Sequence, residues 1–84
     1  MYFVYILQDQ ITGRLYTGRT ENLDRRLKEH QEHKTWTTAR MKELRLVFYE
    51  AFSAKEDSIR RERYLKSTKG KATLRLMLRE SLQV

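Results

Sequence analysis

This 84-residue chain contains no cysteine, no proline and only three glycines. The absence of cysteine excludes a disulfide scaffold and a zinc site built on cysteine thiolates. No apolar run approaches the roughly 20 residues that a membrane-spanning helix needs. The first ten residues, MYFVYILQDQ, lack a basic start and a small-residue cleavage site, so we expect no signal peptide and a cytoplasmic location.

The length and net charge of the chain indicate how many domains it forms and what kind of partner it binds. Residues 1–84 suffice for one small domain, and a domain of this size buries only about 60–65% of its unfolded surface. Its core is thin, so a polar group on an inward face should have a use. Eighteen Lys and Arg residues against 11 Asp and Glu give a net charge of +7. This excess favours a polyanionic partner such as nucleic acid, with solubility as an equal alternative.

The first half of the chain reads as a hairpin followed by a helix. Residues 2–8, YFVYILQ, and residues 15–19, LYTGR, are predicted strands, joined by a turn in which Gly13 can adopt positive φ. Asn22 is the predicted N-cap of a helix over residues 23–33. The stretch KTWTTARMKE then reads as a loop.

The second half reads as a strand and two helices. Residues 44–52 form the third predicted strand, and Ser53 with Glu56 has the pattern of a capping box for a helix ending near Thr68. Gly70 is expected to break the chain before a last helix with the inward stripe Leu74, Met77, Leu78 and Leu82. The order β-β-α-β-α-α predicts an α+β fold, a three-stranded antiparallel sheet flanked by helices.

Polar residues interrupt the inward stripe of the first helix. Leu23, Arg26, Leu27 and His30 follow the spacing i, i+3, i+4 and i+7. Arg26 is either half of a structural ion pair or a guanidinium that binds phosphate. A single histidine such as His30 is more often a packed, hydrogen-bonded residue than a catalyst.

Three further polar side chains also have both a structural and a functional interpretation. Glu62 projects between Ile59 and Leu65, where it is either ion-paired to Arg26 or a nearby lysine, or a ligand for a divalent cation. Tyr5 and Tyr16 are packing residues of the hairpin, unless their phenols meet beside Arg26 and Glu62. The pattern points these polar groups toward one thin core.

In the order and spacing of these residues the chain resembles the GIY-YIG nuclease family. The matching positions are Tyr5 in FVY, Tyr16 and Gly18 in YTG, Arg26 and His30 in RRLKEH, and Glu62 in RRERYLK. The likeness covers nearly the whole chain and is closest to the short stand-alone bacterial type, related to the nuclease domains of excision-repair and homing endonucleases. The chain departs from the family pattern at Phe3, Val4 and Thr17, at Gln8, where some members carry lysine, and in having no asparagine after Asn22.

The resemblance implies a metal-dependent DNA endonuclease that hydrolyses phosphodiester bonds. It implies that Glu62 holds Mg²⁺ or Mn²⁺ and that Arg26 binds the scissile phosphate. Tyr5 would be the base toward the attacking water, which requires nearby cations to favour its phenolate. Tyr16 would orient the water and His30 would assist as a hydrogen-bonding or secondary acid/base group. Gly18 would let the backbone approach closely.

The remaining basic residues are expected to bind the DNA backbone, with selection by DNA structure, such as single strands or branches, rather than by sequence. They are Arg19, Lys34, Arg40, Lys66, Lys69 and Lys71. Trp36 either stacks on an unpaired base or covers the core. A monomer or weak dimer is expected, with no membrane partner. The alternative function is a non-catalytic basic module that binds nucleic acid on the same fold.

Overall fold

A computed structural model describes residues 1–32 and 43–82, and it has the predicted order of elements. The elements are β1 (Tyr2–Asp9), β2 (Leu15–Thr20), α1 (Leu23–Gln31), β3 (Leu44–Phe52), α2 (Lys55–Lys66) and α3 (Thr68–Met77). The strands form one antiparallel sheet in the order β2-β1-β3. The predicted α+β fold is therefore confirmed. None of the helices in these two ranges has the length and apolar character needed to cross a membrane.

The central strand β1 supplies two separate hydrophobic clusters, because successive side chains of a strand point to opposite faces. Val4 and Ile6 pack with residues of α2 and α3, whereas Tyr5 and Leu7 pack with residues of α1. Helix α1 thus covers one face of the sheet, and α2 and α3 cover the other. The expectation of a single core that all the polar groups face is wrong.

The hairpin between β1 and β2 forms as predicted and sets the register of the sheet. Gly13 has φ 78°, and its N–H donates to the carbonyl of Asp9 at 2.7 Å. In the resulting register Tyr5 lies opposite Gly18, and Leu7 lies opposite Tyr16. Directly opposite residues share a face, so the two tyrosines and Gly18 all lie on the side that α1 covers.

The two predicted helix starts have different outcomes. Asn22 caps α1 as predicted, and its side chain accepts a hydrogen bond from the Arg25 N–H at 3.0 Å. The capping box at Ser53 is wrong. Because α2 begins at Lys55, the N-cap position falls on Ala54, which makes no side-chain cap bond.

The predicted chain break at Gly70 is also wrong, because Gly70 lies in the first turn of α3. The break is at Ser67, which ends α2 and caps α3, its hydroxyl accepting from the Gly70 N–H at 3.0 Å. A Cβ on residue 70 would lie 2.6 Å from Leu65 Cα and against the carbonyl oxygen of Tyr64. Glycine is therefore needed so that α3 can pack closely on the end of α2.

The inward stripe of α3 matches the prediction in part. Leu74 and Leu78 are buried and Leu82 packs against the same cluster, but Met77 is 45% exposed. Leu78 follows Leu74 by four residues and Met77 follows it by three. The four-residue step is the one that keeps to the side facing the sheet.

Candidate active site

Three aromatic rings meet between the hairpin and α1. The hydroxyl oxygen of Tyr5 lies 2.8 Å from Nε2 of His30, within hydrogen-bond distance. The Tyr16 ring lies 5.1 Å from the His30 ring and 6.2 Å from the Tyr5 ring, centroid to centroid. Tyr5 and His30 are fully buried, whereas Tyr16 is only half-buried. The cluster thus runs from the surface at Tyr16 to an interior hydrogen bond.

Gly18 makes room for this cluster. A Cβ on residue 18 would lie 2.5 Å from Cζ of Tyr5, against the Tyr5 hydroxyl, and 2.9 Å from Cε2 of Tyr16. The sequence indicated a close approach at this glycine, and here the approaching group is the Tyr5 ring. Gly18 itself is buried beneath it.

Arg26 lies one helical turn before His30 and is partly open to solvent. Its side chain is 35% exposed, and Nη1 donates to Glu29 at 3.0 Å. Its Nε–H is buried and finds no hydrogen-bond partner among the residues that the structure describes. A buried donor without an acceptor is costly, and the guanidinium that carries it is partly exposed and positively charged, so Arg26 is suited to binding an anion.

Arg25 differs from Arg26 in position although both lie near Glu29. Its side chain is 72% exposed, and its Nε lies 4.0 Å from a Glu29 oxygen. Sequence analysis did not single out Glu29. The spacing could have identified it, because Glu29 follows Arg26 by three residues and Arg25 by four, and both separations are typical of ion pairs on a helix.

Burial decides the protonation of the interior pair. It raises the pKa of Tyr5 to about 12, and Arg26, through side-chain hydrogen bonding and then through its positive charge, opposes this shift only in part. Burial, followed by the charge of Arg26, also lowers the pKa of His30. Both groups are therefore neutral at pH 7. Among the side chains that the structure describes, desolvation outweighs the cations that would favour the Tyr5 phenolate.

We predict that Tyr5 makes folding sensitive to alkaline pH. In the unfolded chain Tyr5 ionises near its ordinary pKa of 10, while the folded protein holds the proton until about 12. The stability that Tyr5 contributes is complete below pH 10 and is lost as the pH rises to about 12, by about 2–3 kcal/mol in total. Urea unfolding across this range should show a steeper loss in wild type than in Tyr5→Phe. Parallel curves would contradict the raised pKa.

Glu62 lies apart from the aromatic cluster, on the helix that covers the opposite face. Its carboxylate is 3.2 Å from Lys66 Nζ and 3.8 Å from Arg19 Nε, and its side chain is 21% exposed. Arg19 follows Gly18 in β2 and lies opposite Val4, so it points toward α2. The ion pair with a nearby lysine is confirmed. Within residues 1–32 and 43–82, no hydrogen bond or ion pair joins Glu62 to the cluster.

The basic residues predicted to bind DNA divide into two groups. Arg19 and Lys66 lie beside Glu62, and Lys69 and Lys71 are exposed on α3. The predictions for Lys34, Trp36 and Arg40 fall outside the described residues.

The donor atoms available for a metal ion are few. Among the described residues there is no group of three or more His, Cys, Asp or Glu side chains that could hold an ion. The Glu62 carboxylate, on a side chain that is 21% exposed, offers a hard oxygen ligand that is partly open to solvent. This fits Mg²⁺ or Mn²⁺ only in the form where one carboxylate is joined by water and substrate phosphate oxygens.

Known proteins with similar sequences support the resemblance. Residues 1–75 match the model of the GIY-YIG catalytic domain. A UPF0213 protein of Bacillus licheniformis is 36% identical over 67 residues, which cover 77% of this chain and 67% of that one. A UPF0213 protein of Clostridium perfringens is 34% identical over 85 residues, covering 99% of this chain and 89% of that one.

A solved structure shares the fold. The solution NMR structure of a UPF0213 protein from Bacillus halodurans matches with a TM-score of 0.57 and 38% sequence identity, covering 92% of this chain and 85% of that one. The family match extends over both faces of the sheet, from β1 into α3. The chain therefore belongs to the GIY-YIG family, a family of nucleases that act on DNA.

Proposed function

We propose that residues 1–84 form a metal-dependent DNA endonuclease that hydrolyses phosphodiester bonds. The observation that carries the proposal is the buried Nε–H of Arg26, which lacks an acceptor among the described residues beside the neutral Tyr5–His30 pair. A phosphate oxygen that reached this guanidinium, whose side chain is 35% exposed, would accept hydrogen bonds from it and meet a positive charge. Membership of a nuclease family supports the same conclusion.

The aromatic cluster is suited to holding a proton. Tyr16 is the half-buried phenol, so it is the hydroxyl that can contact an attacking water. Behind it, the Tyr5 hydroxyl lies 2.8 Å from Nε2 of His30, and in the tautomer with the proton on Nδ1 this hydroxyl donates to Nε2, which can accept a proton at pH 7. A proton released by the water then passes through the phenols to His30, and no free tyrosinate is needed. Tyr5 is thus a relay in this proposal rather than the terminal base.

Arg26 and Glu62 would offset the negative charge of the DNA phosphate in two different ways. Arg26 binds the scissile phosphate and the charge that develops on it during attack. Glu62 would hold Mg²⁺ or Mn²⁺, and such an ion neutralises phosphate charge and stabilises the departing oxygen. Arg19 and Lys66, already beside Glu62, would bind the phosphates next to it.

We further propose that selectivity depends on DNA structure and that the protein acts as a monomer or weak dimer. In the described chain, every helix packs on the sheet, with α1 on one face and α2 and α3 on the other. No described helix is left over to enter a major groove and read base edges. Single strands and branched junctions are the substrates that this arrangement favours.

The proposal is tested by incubating purified wild-type protein with labelled single-stranded, duplex and flapped DNA. We expect cleavage in Mg²⁺ or Mn²⁺ and none in excess chelator, with single-stranded or flapped DNA cut faster than duplex. An Arg26→Ala sample purified in the same way reports on contaminating nucleases. Tight binding with every DNA left intact under all conditions would overturn the proposal and favour the non-catalytic binding module.

A further inference from the structure

A basic groove lies between the outer edge of the sheet and α3, on the face away from the aromatic cluster. Its volume is about 280 Å³, and it is lined by Arg14, Leu15, Thr17, Lys71, Leu74 and Arg75. Leu74 is buried and forms part of the floor. Three cations and one hydroxyl surround this floor, and none of these six described residues is acidic. We call this site the β2–α3 groove.

The three cations of the β2–α3 groove are distinguished by their lack of ionic partners. Elsewhere in the described chain, arginines are often neutralised: Arg61 pairs with Glu50 at 2.8 Å, and Arg60 pairs with Asp57 at 3.0 Å. No carboxylate in residues 1–32 and 43–82 lies within ion-pair distance of the groove cations, Arg14, Lys71 and Arg75. Three like charges brought together without a counter-charge repel one another, so the groove favours an anion.

The position of the groove relates it to Glu62. Leu15 and Thr17 line the groove, and Arg19, further along the same strand, is ion-paired with Glu62. At about 3.3 Å per strand residue, the groove lies roughly 7–13 Å from that ion pair along the strand. A strand bound along β2 would therefore place a backbone phosphate in the groove within a few nucleotides of that ion pair.

We propose that the β2–α3 groove binds a backbone phosphate of the nucleic-acid strand within a few nucleotides of the bond that is cleaved. This inference rests on the proposed function for the location of the cleaved bond. Arg14 and Arg75 supply planar donor forks and Lys71 supplies a point charge, which together match the oxygens of one phosphodiester. Contacts of this kind set the position and direction of the strand without reading its sequence.

The test compares two triple variants of equal charge in binding to a labelled single-stranded oligodeoxynucleotide without metal. One replaces Arg14, Lys71 and Arg75 by alanine. The control replaces Lys28, Lys55 and Arg63, which are also exposed. We expect the groove variant to lose about tenfold or more in affinity for the oligonucleotide. The slope of log affinity against log salt concentration should become shallower by about one, the value for one lost phosphate contact. Equal losses in the two variants, or none in the groove variant, would overturn the proposal.

Shortening the oligonucleotide from each end in turn sharpens the test. From one end, wild-type affinity should fall in a single step when the phosphate that reaches the groove is removed, and this step should vanish in the groove variant. A step of equal size in both proteins would overturn the proposal. Cleavage by wild type with Mg²⁺ is measured separately. If wild type does not cleave but the step is found, the nuclease proposal fails and the groove stands. If wild type cleaves without any step, the groove alone fails.

Discussion

Replacing Arg26 by alanine should slow DNA cleavage by about 10²–10³-fold, the loss seen when one preorganised donor to a developing charge is removed. The same substitution at Arg25 should leave the rate within about threefold, as is usual for exposed surface positions. The measurement is single-turnover cleavage of one labelled DNA in saturating Mg²⁺ or Mn²⁺. Substrate affinity measured without metal separates binding from the chemical step.

The two arginines form a matched pair because they share a carboxylate. Both lie within 4.0 Å of Glu29, so either substitution deprives Glu29 of one cation. Of these two arginines, Arg26 is the one that has a buried Nε–H without a described acceptor and that lies close enough to Tyr5 to affect its pKa. A difference in cleavage rate between the variants therefore reports on this inward position rather than on the loss of a positive charge.

Similar losses of activity in the two variants would contradict the assignment of Arg26. Loss of folding has to be excluded first, and urea unfolding of both variants does so. Removing Arg26 leaves no buried charge unpaired, because the Glu29 side chain is itself 35% exposed. We expect the two variants to differ in stability by less than about 1 kcal/mol.

Local sequence patterns predicted most of the fold. The period-2 and period-3.6 patterns located three strands and three helices, and β3 has the predicted bounds of residues 44–52. The errors concern the residues at which α2 and α3 begin. The N-cap of α2 is Ala54, one residue after the predicted Ser53. Ser67 rather than Gly70 separates the last two helices. The Ser67 hydroxyl caps α3, and Gly70 lets α3 pack on the end of α2.

The site was harder to predict because it depends on which face each helix covers. Spacing along α1 and α2 marks Arg26 and Glu62 as inward-facing but does not say that the two helices lie on opposite sides of β1. The raised pKa of Tyr5 was equally inaccessible, since it follows from complete burial beside Gly18. The sequence identifies the side chains, but tertiary packing determines how deeply each is buried and on which face of the sheet it lies.

Glu62 is the position where two roles make opposite predictions. As a metal ligand it is needed for cleavage. As a partner of Arg19 and Lys66 it neutralises two cations that would otherwise meet phosphate. Changing Glu62 to glutamine removes the charge and keeps the shape, so Arg19 and Lys66 become available to DNA. Binding without metal should therefore become a few-fold tighter, because one repulsive charge near the phosphates is lost.

Cleavage by Glu62→Gln should fall by about 10²-fold or more even though DNA binding improves, because a neutral amide is a poor ligand for a hard cation. The control is Glu50→Gln, since Glu50 is similarly exposed and also ion-paired, to Arg61 at 2.8 Å. We expect this control to cleave at nearly the wild-type rate. Full cleavage by Glu62→Gln at saturating metal would show that its carboxylate serves only the ion pairs. Weaker DNA binding by Glu62→Gln would show instead that Arg19 and Lys66 need Glu62 to hold them in place.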